Sequence, residues 1–334
     1  MEKIYVFCDS SADIPREGVE RYGIDIVPER ITHAGRSFRE YFDMTPEAYW
    51  DLLESSEEIP TTAQITPTQV YACYERARAA GATHVIGVVI NAAGSGGYQS
   101  CGVARAMFYE KYGEDMHIEL IDSETYTYIY GQVVVDICRM RDAGDAFADI
   151  VRIARARLKR SEAVLGVYTL RHLKKSGRIS GGAAFVGEAL GLKPLSLVMG
   201  GRVDVIDKAR GARNLIPKAL SIVAKRAVQP EKQTALLLYG KVPADKLDEI
   251  ERRLLDELHF AHHEHRPPGI RRRLSRPAAP RRLTGQTVAS WKNLCAFRVK
   301  LGFRPMQGDK NIEKIPNFSN FLLKPVPKPS IILY

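Results

Sequence analysis

Short apolar runs alternate with amphipathic stretches through the first half of this chain. Residues 3–8 form one such run, followed by Asp9-Ser10-Ser11-Ala12-Asp13, a cluster of helix-capping side chains with Pro15 in a first-turn position. A helix to about residue 22 and a second strand over 24–28 are predicted next. Thr66-Pro67 opens an amphipathic helix to about residue 80, with Val70, Cys73, Tyr74 and Ala77 on one face. Residues 84–90 are β-rich and lead through Gly94-Ser95-Gly96-Gly97 into a helix from Tyr98. Residues 118–121 read as another strand, closed by Asp122-Ser123. Repeated strand–turn–helix units predict a parallel, doubly wound sheet.

The second half changes character. Helical patterns over 125–141 and 146–159 precede a strand over 163–168. A hairpin is predicted from 195–198 and 203–206, which flank Gly200-Gly201. A helix over 214–227, a strand over 235–239 and a helix over 244–258 complete the pattern. The expected architecture is therefore two α/β domains, 1–155 with the parallel sheet and 156–258 with a mixed one. From residue 259 to 334 the periodicity is lost, and 13 of the 17 residues over 266–282 are arginine, proline or alanine.

Charge follows the same division. The 334 residues carry a net charge of +10, but 15 of the 49 Lys and Arg and only three of the 39 acids lie from Ala261 onward. That segment is net +12; the preceding 260 residues, with 34 bases and 36 acids, are net −2. A body that is itself a basic nucleic-acid-binding domain is thereby excluded as the leading reading. The five cysteines form no CxxC pair, and four lie in apolar periodic runs, as expected of buried free thiols in a reducing compartment. No apolar stretch approaches the ~18 residues of a membrane span. A cytoplasmic location is expected.

Three constellations could carry chemistry. Gly94-Ser95-Gly96-Gly97, between a strand and a helix, fits a tight turn with a serine cap. It also fits an anion site built on helix-start N–H groups. A third reading is a hydrolase nucleophile elbow, which would have Ala93 in place of its first glycine. In Pro60-Thr61-Thr62-Ala63-Gln64-Ile65-Thr66-Pro67, Thr66 is a natural N-cap, which leaves Thr61, Thr62 and Gln64 without a local duty. Two hydroxyl-bearing loops at helix starts could converge on one anion. The basic stretch 169–179 reads by composition as a solvated helix. No metal or nucleotide signature is present in the sequence, and no cofactor is expected.

Taken together, CDSSADI (8–14), PTTAQITP (60–67), IGVVINAAGSGGYQS (86–100), LIDS (120–123), TLRHLKKSGRI (169–179), LKPL (192–195) and KAR (208–210) resemble the DegV family. These are bacterial fatty-acid-binding proteins that serve as carrier subunits of a fatty-acid kinase. The resemblance covers about residues 3–258. It implies a long-chain fatty acid held between the two domains, its carboxylate bound by the residues here numbered Thr62 and Ser95. Gly96, Gly97 and Arg178 would be further contacts with ligand or partner, and Lys208 and Arg210 candidates for docking the kinase. The implied partners are the fatty acid, an ATP-binding kinase subunit and, transiently, a membrane surface, with no specific nucleic acid. The protein itself would catalyse nothing; the alternatives are a serine hydrolase using Ser95 and a nucleic-acid- or membrane-associated protein acting through the basic tail.

Several positions depart from the family pattern. Ala63 and Ile65 stand where serine and proline are usual, Asn91-Ala92-Ala93-Gly94 replaces Ser-Ser-x-Leu, and Gly97 replaces threonine. Past residue 258 the family's closing strand and histidine segment find no convincing match, and no role is carried over to His265. The tail is expected to be an out-of-frame reading, with a genuine basic extension as the competing explanation. The second domain should then lack its closing strand.

Overall fold

The computed structural model describes residues 2–168 and 191–265, apart from 233, 241, 243 and 261, and the side chains of 232, 234, 244 and 262–265. Four parallel strands make the first sheet: β1 (Ile4–Asp9), β2 (Asp25–Val27), β6 (His84–Val89) and β7 (His117–Asp122), in the order β2-β1-β6-β7. Alternation along β1 explains its two-sided burial. Ile4, Val6 and Cys8 enter one core cluster, while Phe7 enters the other. The first cluster is covered by α1 (Arg16–Tyr22), α5 (Tyr128–Asp142) and α6 (Phe147–Lys159), the second by α3 (Pro67–Ala79) and α4 (Gly97–Tyr112). The predicted parallel sheet with helices on both faces is what forms. Four cysteines, Cys8, Cys73, Cys101 and Cys138, are buried free thiols within it.

A three-stranded antiparallel sheet was not foreseen. It comprises β3 (Arg30–His33), β4 (Arg36–Arg39) and β5 (Thr61–Ala63), in the order β4-β3-β5, with α2 (Pro46–Ser55) packed against it through Tyr49 and Leu53 on Ile31. β5 carries Thr62, paired with Ile31. The capping cluster after β1 also differs from expectation. Asp9, Ser10 and Ser11 are buried, residues Ser10–Ala12 form a 3-10 turn, and Pro15 is the N-cap of α1 without side-chain capping. These polar side chains serve the interior, as described below.

The second part contains β8 (Glu162–Gly166), β9 (Leu192–Met199) and β10 (Arg202–Arg210), an antiparallel sheet in the order β10-β9-β8 that includes the predicted hairpin. One face, including Ala163, Leu165 and Val198, is continuous with the first core. The other, with Val164, Leu195 and Leu197, is covered by α7 (Leu215–Arg226) and by Ile250 of α8 (Ala244–Arg252). A π turn, Arg253–Glu257, follows α8. The chain then continues past residue 258 into β12 (His262–His265), which pairs in parallel with β11 (Thr234–Leu237), Thr234 opposite His262 and Leu237 opposite His265. The expected loss of the closing strand is therefore incorrect. Backbone pairing requires no apolar side chain, so His-His-Glu-His gave no compositional signal. None of the helices among the described residues is long and apolar enough to cross a membrane.

Candidate functional site

Thr62 and Ser95 lie on segments that are tied together directly. Thr66 caps α3 in a reciprocal box: its hydroxyl accepts from Gln69 N (3.3 Å), and Gln69 Oε1 accepts from Thr66 N (2.9 Å). With Thr66 so employed, Gln64 reaches across to the glycine loop, where its Oε1 accepts from Gly96 N at 2.8 Å. Its Nε2 lies 3.5 Å from Ser100 Oγ. Gln64, which had no evident duty in the sequence, thus bridges the β5 segment and the start of α4. Both hydroxyl-bearing segments meet at the C-terminal edge of the parallel sheet, the edge where open α/β sheets bind ligands.

The loop itself is more self-satisfied than its glycines suggest. Gly94 N and Ser95 N both donate to Asn91 O, at 3.0 and 3.1 Å, and Gly97 N donates to Ser95 Oγ at 3.3 Å. With Gly96 N on Gln64, all four loop amides have internal partners. Thr62 and Ser95, both half-buried, stand on these joined segments, and α4 begins just after Ser95 with the first-turn N–H groups that any α-helix leaves open. The tight turn forms, but the N-cap of α4 is Gly96 and no side chain caps it; Ser95, one residue earlier, accepts from Gly97 N within the turn and is half-buried with its own proton still to donate.

Gly96 has little space. A Cβ there would stand 2.3 Å from Gln64 Oε1. Gly96→Ala should therefore displace Gln64 and uncouple the two segments. Ligand affinity should drop about tenfold, the scale of one lost hydrogen bond, with the urea midpoint nearly unchanged. Loss of both together would show that Gly96 is needed for folding instead.

Beneath this edge lies a buried acid group that includes Asp9 and Ser10, where the sequence pattern predicts helix caps. Asp9 Oδ2 accepts from Ile90 N at 2.8 Å and Oδ1 from the Tyr130 hydroxyl. Ser10 Oγ donates to Glu40 Oε2 at 2.7 Å and accepts from Glu29 N at 2.9 Å. Burial pushes the Asp9 carboxyl up from 3.8 to about 7; the bonds from Tyr130 and Ile90 oppose this and nearby Glu40 adds to it. Because the folded-state value is raised, the associated stability is complete below about pH 4 and is lost as pH rises through about 7. Asp9→Asn should flatten the decline in stability between pH 5 and pH 8. Urea midpoints across that range check this, and an unchanged slope would contradict it.

Arg178, with the basic stretch 169–179, lies outside the described residues. Lys208 and Arg210 are exposed on β10, where Lys208 O accepts from Lys218 Nζ and Arg210 O from Asn214 Nδ2, at 2.6 Å each. For the hydrolase alternative, His84 and His117 stand at the starts of β6 and β7, a strand's length of about 20 Å from the edge bearing Ser95. His33 is engaged with Ser56 Oγ at 3.0 Å. Among the described residues, no group of three or more His, Cys, Asp or Glu could hold a metal ion.

Fold and site edge together define an α/β protein in which a serine-bearing loop at the end of a parallel strand is joined to a threonine-bearing antiparallel edge segment. The family model described as "Uncharacterised protein, DegV family" matches residues 3–267. A DegV domain-containing protein of Clostridium perfringens is 30% identical over 255 residues, spanning 76% of this chain and 89% of that one. The chain belongs to the DegV family. The match extends beyond residue 258, where the resemblance was expected to stop, and takes in β12. A Thermus thermophilus structure described as fatty acid binding of a DegV family protein superimposes with a TM-score of 0.69 at 24% identity, covering 79% of this chain and 91% of that one. A fatty-acid-binding DegV family protein of Streptococcus agalactiae gives 0.69 at 23% identity, with coverages of 80% and 93%.

Proposed function

We propose that this protein binds a long-chain fatty acid between its two α/β parts, divided near residue 155, with the carboxylate on Thr62 and Ser95. The observation that carries the reading is the Gln64–Gly96 hydrogen bond, which fastens the two hydroxyl-bearing segments to each other. Relatives of the same fold described as fatty-acid-binding proteins support it. The energetics are favourable. A chain of about 16–18 carbons gains about 0.8 kcal/mol per buried CH2. Its carboxylate, taken out of water, needs charge-assisted donors, which two hydroxyls and a helix start supply.

The protein acts as a cytoplasmic carrier, which takes its ligand from a membrane surface and presents the carboxylate to a separate ATP-dependent kinase for acyl-phosphate formation. Arg178 contacts ligand or partner in this reading, and Lys208 and Arg210 belong to the docking surface. The basic segment beyond β12 has no part in it. Mass spectrometry of lipid extracted from the purified protein tests the first step: a near-stoichiometric long-chain carboxylic acid is expected, and an empty protein or a neutral lipid refutes it. Charge reversal at Lys208 and Arg210 tests the second, slowing acyl-phosphate formation with a cognate kinase while ligand affinity stays the same.

A further inference from the structure

Asn91, 1% exposed, follows β6 at the root of the Ser95 loop, and its whole side chain is engaged. Nδ2 donates to the Tyr126 hydroxyl at 2.5 Å and to Gly201 O at 2.7 Å, while Oδ1 accepts from Ala93 N at 3.1 Å. Its backbone N donates to Thr125 O at 3.1 Å, and its carbonyl holds Gly94 N and Ser95 N. Gly201 belongs to the turn of the β9–β10 hairpin and donates its own N–H to Glu124 O at 2.9 Å. The hairpin tip is thus seated on the segment 124–126 and on Asn91.

The fit is close. A Cβ at Gly201, whose φ is +76°, would stand 3.0 Å from Asn91 Oδ1, and one at Gly94 would stand 2.9 Å from the Tyr126 hydroxyl. Glu124 and Thr127, both at positive φ (50° and 54°), flank the same contact. Non-glycine residues hold such backbone only where their surroundings impose it. A buried asparagine that served its own loop alone would stop at the Ala93 bond, which a serine hydroxyl could also make. The two further bonds need the longer amide.

We propose that Asn91 is a positioning residue that locks the β9–β10 hairpin tip to the Ser95 loop, so that the two open together and set the rate at which ligand leaves. The proposal rests on Ser95 as a ligand group. Moving Ser95 outward pulls on the Asn91 carbonyl that holds its N–H, and Asn91 cannot follow without releasing Gly201.

The test compares the full chain with Asn91→Ser, which keeps an acceptor for Ala93 N, and Tyr126→Phe, which removes one of the two distant bonds. Hydrogen exchange without ligand should accelerate about tenfold at the amides of Gly201 and Ser95 in Asn91→Ser, and less in Tyr126→Phe, while β1 amides keep their protection. Transfer of bound cis-parinaric acid to phosphatidylcholine vesicles should quicken about tenfold in Asn91→Ser, with a smaller change in association rate. Unchanged exchange at Gly201 overturns the lock. Faster exchange with unchanged release overturns its control of the ligand. Uniform loss of protection in β1 and α5 makes Asn91 structural only. Failure of the parent to bind parinaric acid, palmitate or oleate counts against the ligand reading, and the exchange experiment then decides the lock by itself.

Discussion

Thr62→Ala and Ser95→Ala should each weaken fatty-acid binding by roughly 1–3 kcal/mol, because each leaves a desolvated carboxylate short of a donor. The effects should fall short of additivity in the double variant, since both hydroxyls serve one group. Titration calorimetry with palmitate or oleate measures this. Folding should be little affected: Thr62 and Ser95 are only half-buried, and β5 keeps its backbone pairing to β3 whatever the residue at 62. If both single variants bind as the parent does, the carboxylate lies elsewhere.

Gly131→Ala should have the largest effect on stability. α5 runs so close to the turn after β1 that a Cβ on Gly131 would stand 2.1 Å from the Ala12 carbonyl oxygen and 3.0 Å from the Tyr128 ring. A backbone oxygen in a buried turn cannot rotate aside, so either the helix or the turn must shift. The expected cost is more than about 3 kcal/mol, in the range of severe overpacking. Gly102→Ala in α4 is the control, because nothing lies within 4 Å of a Cβ there. The same change should stabilise at that position by about 0.5–1 kcal/mol, through helix propensity alone. Urea unfolding midpoints should move in opposite directions; two similar midpoints would contradict the close approach of α5.

The parallel sheet was legible because its strands are buried on both faces and therefore spell near-continuous apolar runs, as in 84–90. β3 and β5 were not, because only Ile31 among their residues is buried in the core beneath them. α2 did leave a signal: Thr45-Pro46 repeats the Thr66-Pro67 start, and the Thr45 hydroxyl accepts from Ala48 N at 3.3 Å. Thr62 and Ser95 enter the candidate site through motif resemblance. The joining of their segments by Gln64 depends on a contact 32 residues apart in sequence, which no local pattern encodes. Asp9 was misassigned for a related reason, since a carboxylate after an apolar run caps a helix or anchors a neighbouring strand with the same residue type. Near residue 260 the composition changes sharply, but β12 is made from backbone hydrogen bonds on the far side of that change.

Palmitate labelled with carbon-13 at its carboxyl, followed by NMR across pH 5 to 8, tests the binding of a fatty acid through Thr62 and Ser95 most directly. One bound carboxyl resonance is expected. Donors to the charged form hold its pKa down, so it should stay ionised throughout that range, and it should move in Ser95→Ala. A bound carboxyl that titrates like the free acid and ignores both substitutions would contradict the account.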